Sequence, residues 1–168
     1  MRTLSNSFFA LLFASLLLVG CGGEAADTAA DTMADATEEA ASDALVIEAN
    51  DMLQFSVTEF TVTAGEEVTI LLKNVGTMAK EMGGHNIVFL TAGADAQAFG
   101  VAAAGAADTG YIPADMTEWV IANTEILGPG EEVSLTFTAP EAGTYEYVCS
   151  FPGHFGTMRG VMTVEAAM

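Results

Sequence analysis

The sequence predicts an all-β sandwich of eight short strands carrying a short helical flap, and three observations lead there. From Leu45 onward, apolar residues alternate with polar ones, as in Val68, Ile70 and Leu72 or Val133, Leu135 and Phe137. Period-two alternation places one set of side chains on a single face of a strand. The alternating runs are short and separated by Gly, Pro and Asn clusters at regular intervals, the pattern of a sandwich rather than of βαβ units. One stretch breaks the pattern: Asp95 to Ala104 is Ala-rich and begins with a residue suited to capping a helix.

Taken in order, the chain opens with an address. Arg2 precedes the apolar run Phe8 to Val19, which is too short for a comfortable membrane span and reads as a secretion signal over residues 1–20. It ends in Leu18-Val19-Gly20-Cys21, which resembles the bacterial lipobox. That resemblance implies cleavage before Cys21 and acylation of that cysteine, hence an extracytoplasmic protein anchored to a membrane by lipid, periplasmic or at the outer cell surface.

Residues 22–44 contain seven acidic side chains, no basic one, and Met33 as their large apolar residue. Such a segment buries too little apolar surface to offset the entropy of ordering, and a disordered acidic tether is expected. As a flexible coil it would span roughly 25 Å. The folded domain is then 45–168, an ordinary size for one core.

Strands are expected near 45–50, 54–62, 66–74, 84–90, 118–123, 131–138, 143–149 and 158–165. Gly65, Gly128-Pro129-Gly130 and Pro140-Glu141-Ala142-Gly143 mark turns between them. The flap falls between the fourth and fifth strands.

The chemistry concentrates where the seventh strand meets the eighth. Cys149-Ser150-Phe151-Pro152-Gly153-His154-Phe155-Gly156-Thr157-Met158 brings a thiol, an imidazole and a thioether together at C-x4-H-x3-M spacing. The second of the chain's two histidines lies far upstream in Met82-Gly83-Gly84-His85-Asn86. A lone Cys at a strand end is ordinarily a small buried hydrophobe, and a lone Met is ordinarily core filling. Together the four give two neutral imidazoles, one thiolate and a weak thioether, the donor set of a mononuclear electron-transfer copper. Zinc is poorly served, because one Cys and two His leave it without a good fourth ligand. Cys21 is assigned to lipid and Cys149 to metal, so no disulfide is expected.

These residues resemble the type 1 copper proteins of the cupredoxin family, above all the azurins, with auracyanins next. The resemblance runs from about Leu45 to Glu165. It includes Asn50-Asp51, Gly84-His85-Asn86, Gly110-Tyr111, Val120-Ile121-Ala122, Ile126-Leu127-Gly128, the Cys149 loop and Arg159-Gly160. It implies a Greek-key sandwich and one Cu(I)/Cu(II) ion. His85, Cys149 and His154 would be equatorial ligands, Met158 axial, and the Gly84 carbonyl a weak contact opposite it. It further implies that Asn86 braces the loop, and that the backbone N–H groups of Asn86 and Phe151 donate to the Cys149 sulfur. The chain departs from azurins in lacking a domain disulfide, in Ile87 after His-Asn, in its one Trp at 119, and in Gly83 where a bulkier residue is usual.

The expected function is one-electron transport between extracytoplasmic membrane redox partners such as a c-type cytochrome or terminal oxidase, by a monomer and not an enzyme. Multicopper enzymes need more than two histidines, and the site as read has no open position for substrate. Copper storage or delivery is the alternative, kept by the nine methionines. Met78, Met82, Phe151 and Phe155, with Leu53, are candidates for an apolar docking face around His154. The formal net charge of −19 disfavours nucleic acid, whose phosphates would repel the chain. Loss of residues 1–20 removes one base and no acid, leaving 23 acids against three bases, a net charge of −20. Such a surface would steer a basic partner or suit high salt.

Overall fold

A computed structural model of the protein describes residues 44–168. The signal segment, Cys21 and most of the acidic tether lie outside the described residues. Two sheets form the domain. In the first, β1 (Leu45–Asn50) lies between β2 (Gln54–Phe55) and β4 (Glu67–Asn74), and β7 (Glu132–Thr138) completes it, in the order β2-β1-β4-β7. In the second, β3 (Glu59–Thr63), β9 (Arg159–Glu165), β8 (Gly143–Val148), β5 (Val88–Leu90) and β6 (Val120–Asn123) follow in the order β3-β9-β8-β5-β6. The pairs β1/β4 and β3/β9 are parallel and the remaining pairs antiparallel.

The expected alternation is what the sheets use. Val68, Ile70 and Leu72 of β4 stand opposite Phe137, Leu135 and Val133 of β7, and Ile47 of β1 stands opposite Leu72. Their side chains meet those of Phe89, Tyr147 and Met162 from the second sheet, and that of Ile87 just before β5, in the main core. Phe89 is its hub, with ring centroids 4.9 Å from Phe137 and 5.3 Å from Tyr147. Burying an aliphatic or aromatic side chain of this size contributes roughly 2 kcal/mol, and the sandwich buries many of them.

The stretch 54–62, expected as one strand, is two. Phe55 pairs with Ala49 in the first sheet, whereas Glu59 pairs with Val161 in the second. Ser56-Val57-Thr58 turn the corner, held by the Ser56 N–H on the Glu48 carbonyl, the Tyr147 hydroxyl on the Val57 carbonyl and the Val161 N–H on the Thr58 carbonyl. The sandwich therefore has nine strands where eight were expected.

The expected flap helix is α2 (Ala96–Ala103), preceded by a single turn, α1 (Lys80–Gly83). Asp95 caps α2, its carboxylate accepting from the N–H groups of Gln97 and Ala98, both at 3.0 Å. The helix covers the outer face of the second sheet, where Ala96 and Phe99 join Val88, Leu90 and Val148 in a second core. Strand β5 is thus buried on both faces, with Val88, Phe89 and Leu90 all inaccessible. Both sheet ends that carry the site start from this immobilised centre.

Candidate metal centre

Strand β8 ends at Val148, and Cys149 follows with its N–H donating to the Met158 carbonyl at 2.9 Å. This bond closes the loop 149–158 at its neck. Within it the His154 N–H donates to the Phe151 carbonyl, and the Thr157 and Met158 N–H groups donate to the His154 carbonyl. Gly153 supplies the left-handed turn, φ 84°, that reverses the chain just before His154.

His85 was expected on a strand over 84–90. Only Val88–Leu90 pairs as one, and residues 84–87 run beside the arm 124–127 instead. His85 and Leu127 exchange backbone hydrogen bonds at 3.1 and 2.7 Å. The Ile87 N–H donates to the Thr124 hydroxyl, and the Thr124 N–H donates to the Ile87 carbonyl. Gly84 lies so close to the Lys80 carbonyl that an added Cβ would stand 2.6 Å from its oxygen, so no other residue fits there. At Gly83, where a bulkier residue is usual in azurins, the space of the absent side chain is taken by Met78.

These two arms bring His85, Cys149 and His154 together. Cys149 Sγ lies 3.6 Å from His154 Nδ1 and 4.0 Å from His85 Nδ1, and the imidazole centroids are 5.0 Å apart. The donor atoms of the three residues are all within 4.8 Å of one another. Metal–sulfur and metal–nitrogen bonds of about 2.3 and 2.0 Å, opened to a trigonal angle, separate sulfur from nitrogen by about 3.7 Å. The observed spacings bracket that value, so the residues fit a single first-row metal ion. His85 and Cys149 are fully buried, His154 is 5% exposed, and Met158, at the neck of the same loop, is fully buried as well.

Burial sets the charge of these donor groups. It pushes the Cys149 thiol up to about 11, against the pull of the Asn86 and Phe151 backbone N–H groups that hydrogen-bond to it. It pushes His154 down to about 4, helped by the neighbouring His85. His85 is lowered by burial as well, although the Asp51 carboxylate and the Asn50 carbonyl oppose this. At neutral pH the group is a thiol and two neutral imidazoles. Buried His85 Nε2 lacks a well-formed hydrogen bond.

Several supporting residues gave no functional signal in the sequence. Ser150 pairs doubly with Asn86, donating its N–H to Asn86 Oδ1 at 2.9 Å and accepting from Asn86 Nδ2 at 2.8 Å. Buried Asn74 donates to the Leu127 carbonyl and accepts from the Gly76 N–H, tying the end of β4 to the arm that holds His85. The Asp51 carboxylate accepts from the Thr77 N–H and hydroxyl and from the Met78 N–H, which fixes the loop before α1. Of the expected docking residues, Met82 is 74% exposed and Leu53, Met78 and Phe155 are partly exposed, but Phe151 is not. Its ring is wedged between Tyr111 and His154, so it belongs to the interior of the site and not to a docking surface.

The profile of the copper binding proteins of the plastocyanin/azurin family matches residues 41–165. The chain belongs to the plastocyanin/azurin family. It is 41% identical over 121 residues to azurin-2 of Alcaligenes xylosoxydans xylosoxydans, covering 69% of this chain and 92% of that one. Auracyanin-A of Chloroflexus aurantiacus is 40% identical, with 67% and 68% covered. Outer membrane protein H.8 of Neisseria meningitidis is 40% identical over 124 residues, with 72% and 67% covered. Among solved structures, dithionite-reduced auracyanin of Roseiflexus castenholzii superposes with a TM-score of 0.65 at 39% identity, covering 74% of this chain and 98% of that one. As a member of this family the protein binds one copper, with His85, Cys149 and His154 as the ligand group, and membership supports copper-based electron transfer.

Proposed function

We propose that the protein is a one-electron carrier of the extracytoplasmic space, tethered to a membrane through an acylated Cys21. The observation that carries this reading is the convergence of two imidazole Nδ1 atoms and one thiol Sγ, at 3.6 and 4.0 Å, in a buried pocket. Copper, when bound, supplies the one-electron couple. His85, Cys149 and His154 would hold it, with Met158 Sδ and the Gly84 carbonyl as weaker donors.

The remaining work belongs to the chain. The Asn86 and Phe151 N–H groups donate to the Cys149 sulfur, which draws charge from the thiolate and favours the reduced ion. Pro152 has no N–H and adds no competing donor. The paired Asn86 and Ser150 side chains and the closed neck at Cys149 and Met158 keep the ligands in place through a change of oxidation state. Burial of all four side chains excludes water and leaves no position for a substrate, in keeping with a carrier rather than an enzyme. Leu53, Met78, Met82 and Phe155 form the docking face, toward which the acidic surface steers a basic redox protein such as a c-type cytochrome or terminal oxidase.

The test is spectroscopic. Copper-loaded protein should show an intense red-region absorption, narrow copper hyperfine splitting and reversible one-electron reduction. A colourless Cu(I) form that surrenders its metal readily to a chelator would assign the protein to copper delivery instead.

A further inference from the structure

Two contacts join the helical flap to the loop that carries His154, one on each side of that residue. On one side, the partly exposed Phe155 packs against the second core at α2. Its ring occupies the space at Gly100, where an added Cβ would fall inside the ring's van der Waals envelope. On the other side, Tyr111 stands edge-on to Phe151 with centroids 5.2 Å apart, and Phe151 lies 4.8 Å from the His154 imidazole. Tyr111 holds a left-handed backbone, φ 64°, which a bulky side chain rarely adopts. Its N–H is fixed on the Ala106 carbonyl at 2.8 Å, and the Thr109 hydroxyl donates to the Ile112 carbonyl at 2.6 Å. The strained turn aims the Tyr111 ring at Phe151, and strain of this kind persists only where the surroundings enforce it.

We infer that the flap, residues 91–119, is a positioning clamp for His154, gripping Phe155 through Gly100 and Phe151 through Tyr111. The inference rests on the copper reading above. Neither Gly100 nor Tyr111 touches the donor atoms, so each acts through the aromatic residue that it holds. The backbone bonds of His154 all stay within its own turn, to Phe151, Thr157 and Met158, so they leave that turn freedom to shift as a unit, whereas His85 is paired to Leu127 of a distant arm. A loop residue gripped on both flanks loses that freedom at little cost, since both grips use cores that the flap needs anyway.

Gly100→Ala is the primary test. Ala favours a helix more than Gly does, so α2 keeps its propensity while the added methyl expels the Phe155 ring. Copper-loaded Gly100→Ala should bind one copper per chain yet show a changed intensity ratio of its thiolate-to-copper bands and a shifted reduction potential. In a Phe155→Ala background the same substitution should add no further change. Tyr111→Gly removes the ring and relieves the left-handed strain together, so it should shift the spectrum without relying on a damaged fold, and Tyr111→Phe should restore it. Wild-type spectra and potentials in both Gly100→Ala and Tyr111→Gly would overturn the clamp. So would a Gly100→Ala effect that persists undiminished without the Phe155 ring. Failure of the unaltered protein to bind one copper with a thiolate band would instead defeat the copper reading beneath it.

Discussion

Asn86 and Ser150 hold each other by two hydrogen bonds, one through each end of the Asn86 amide, across 64 residues of chain. This pair joins the arm bearing His85 to the loop bearing Cys149 and His154, independently of any metal. Asn86→Leu should leave the Ser150 hydroxyl and N–H buried and unpaired, at about 1–3 kcal/mol each. Denaturant unfolding of the metal-free protein should report a loss of that order, with the slope of the transition unchanged.

Copper uptake should be linked to protons in a defined ratio. The Cys149 thiol, pushed up to about 11, is protonated at pH 7, while His154, pushed down to about 4, is already neutral and His85 is lowered too. Ligands bind deprotonated, so one proton should leave per copper ion. Affinity should fall about tenfold per unit of acidification just below pH 7, and more steeply once either histidine begins to protonate. Calorimetry in buffers of different ionisation heat counts the protons.

Without metal, the two histidines make stability depend on pH. A folded value below the ordinary imidazole range means that the unfolded chain binds more protons, and stability then rises with pH across the gap. For His154 the gap runs from about 4 to the usual 6.5. Its contribution is fully present above pH 6.5 and is lost as pH falls toward 4. Thermal melts of the metal-free protein should show this loss, and a His154→Gln variant should show less of it.

Met158 can be altered without emptying the core. Met158→Leu conserves volume at a fully buried position, which typically costs under about 1.5 kcal/mol. Copper should still bind one per chain, and the potential should rise, because the electron-poor oxidised ion loses a donor. Voltammetry of the variant beside the unaltered protein measures the shift.

Much of this architecture can be read from the sequence, and the places where it cannot have physical causes. The alternation at Val68, Ile70 and Leu72 marks β4 because one face of that strand is core. The corner between β2 and β3 leaves only a one-residue slip, since Phe55 and Val57 share one phase and Phe60 and Val62 the other. Without a Gly or Pro there, nothing local announces that the chain changes sheets. His85, Cys149 and His154 stand out because few residue types bind copper. Ser150 and Asn74 do not, since a polar residue beside a turn is commonplace and their partners lie 64 and 53 residues away. Phe151 reads as a surface aromatic in a Pro-Gly loop until Tyr111, 40 residues earlier, is seen to cover it.

One thiolate and two imidazoles, from two arms of the chain, bind one copper ion, and X-ray absorption at the copper edge reads that ligand set. One sulfur at about 2.3 Å and two nitrogens at about 2.0 Å are expected, with the sulfur lost in Cys149→Ser. A first shell of three or more nitrogen or oxygen atoms with no short sulfur would contradict it.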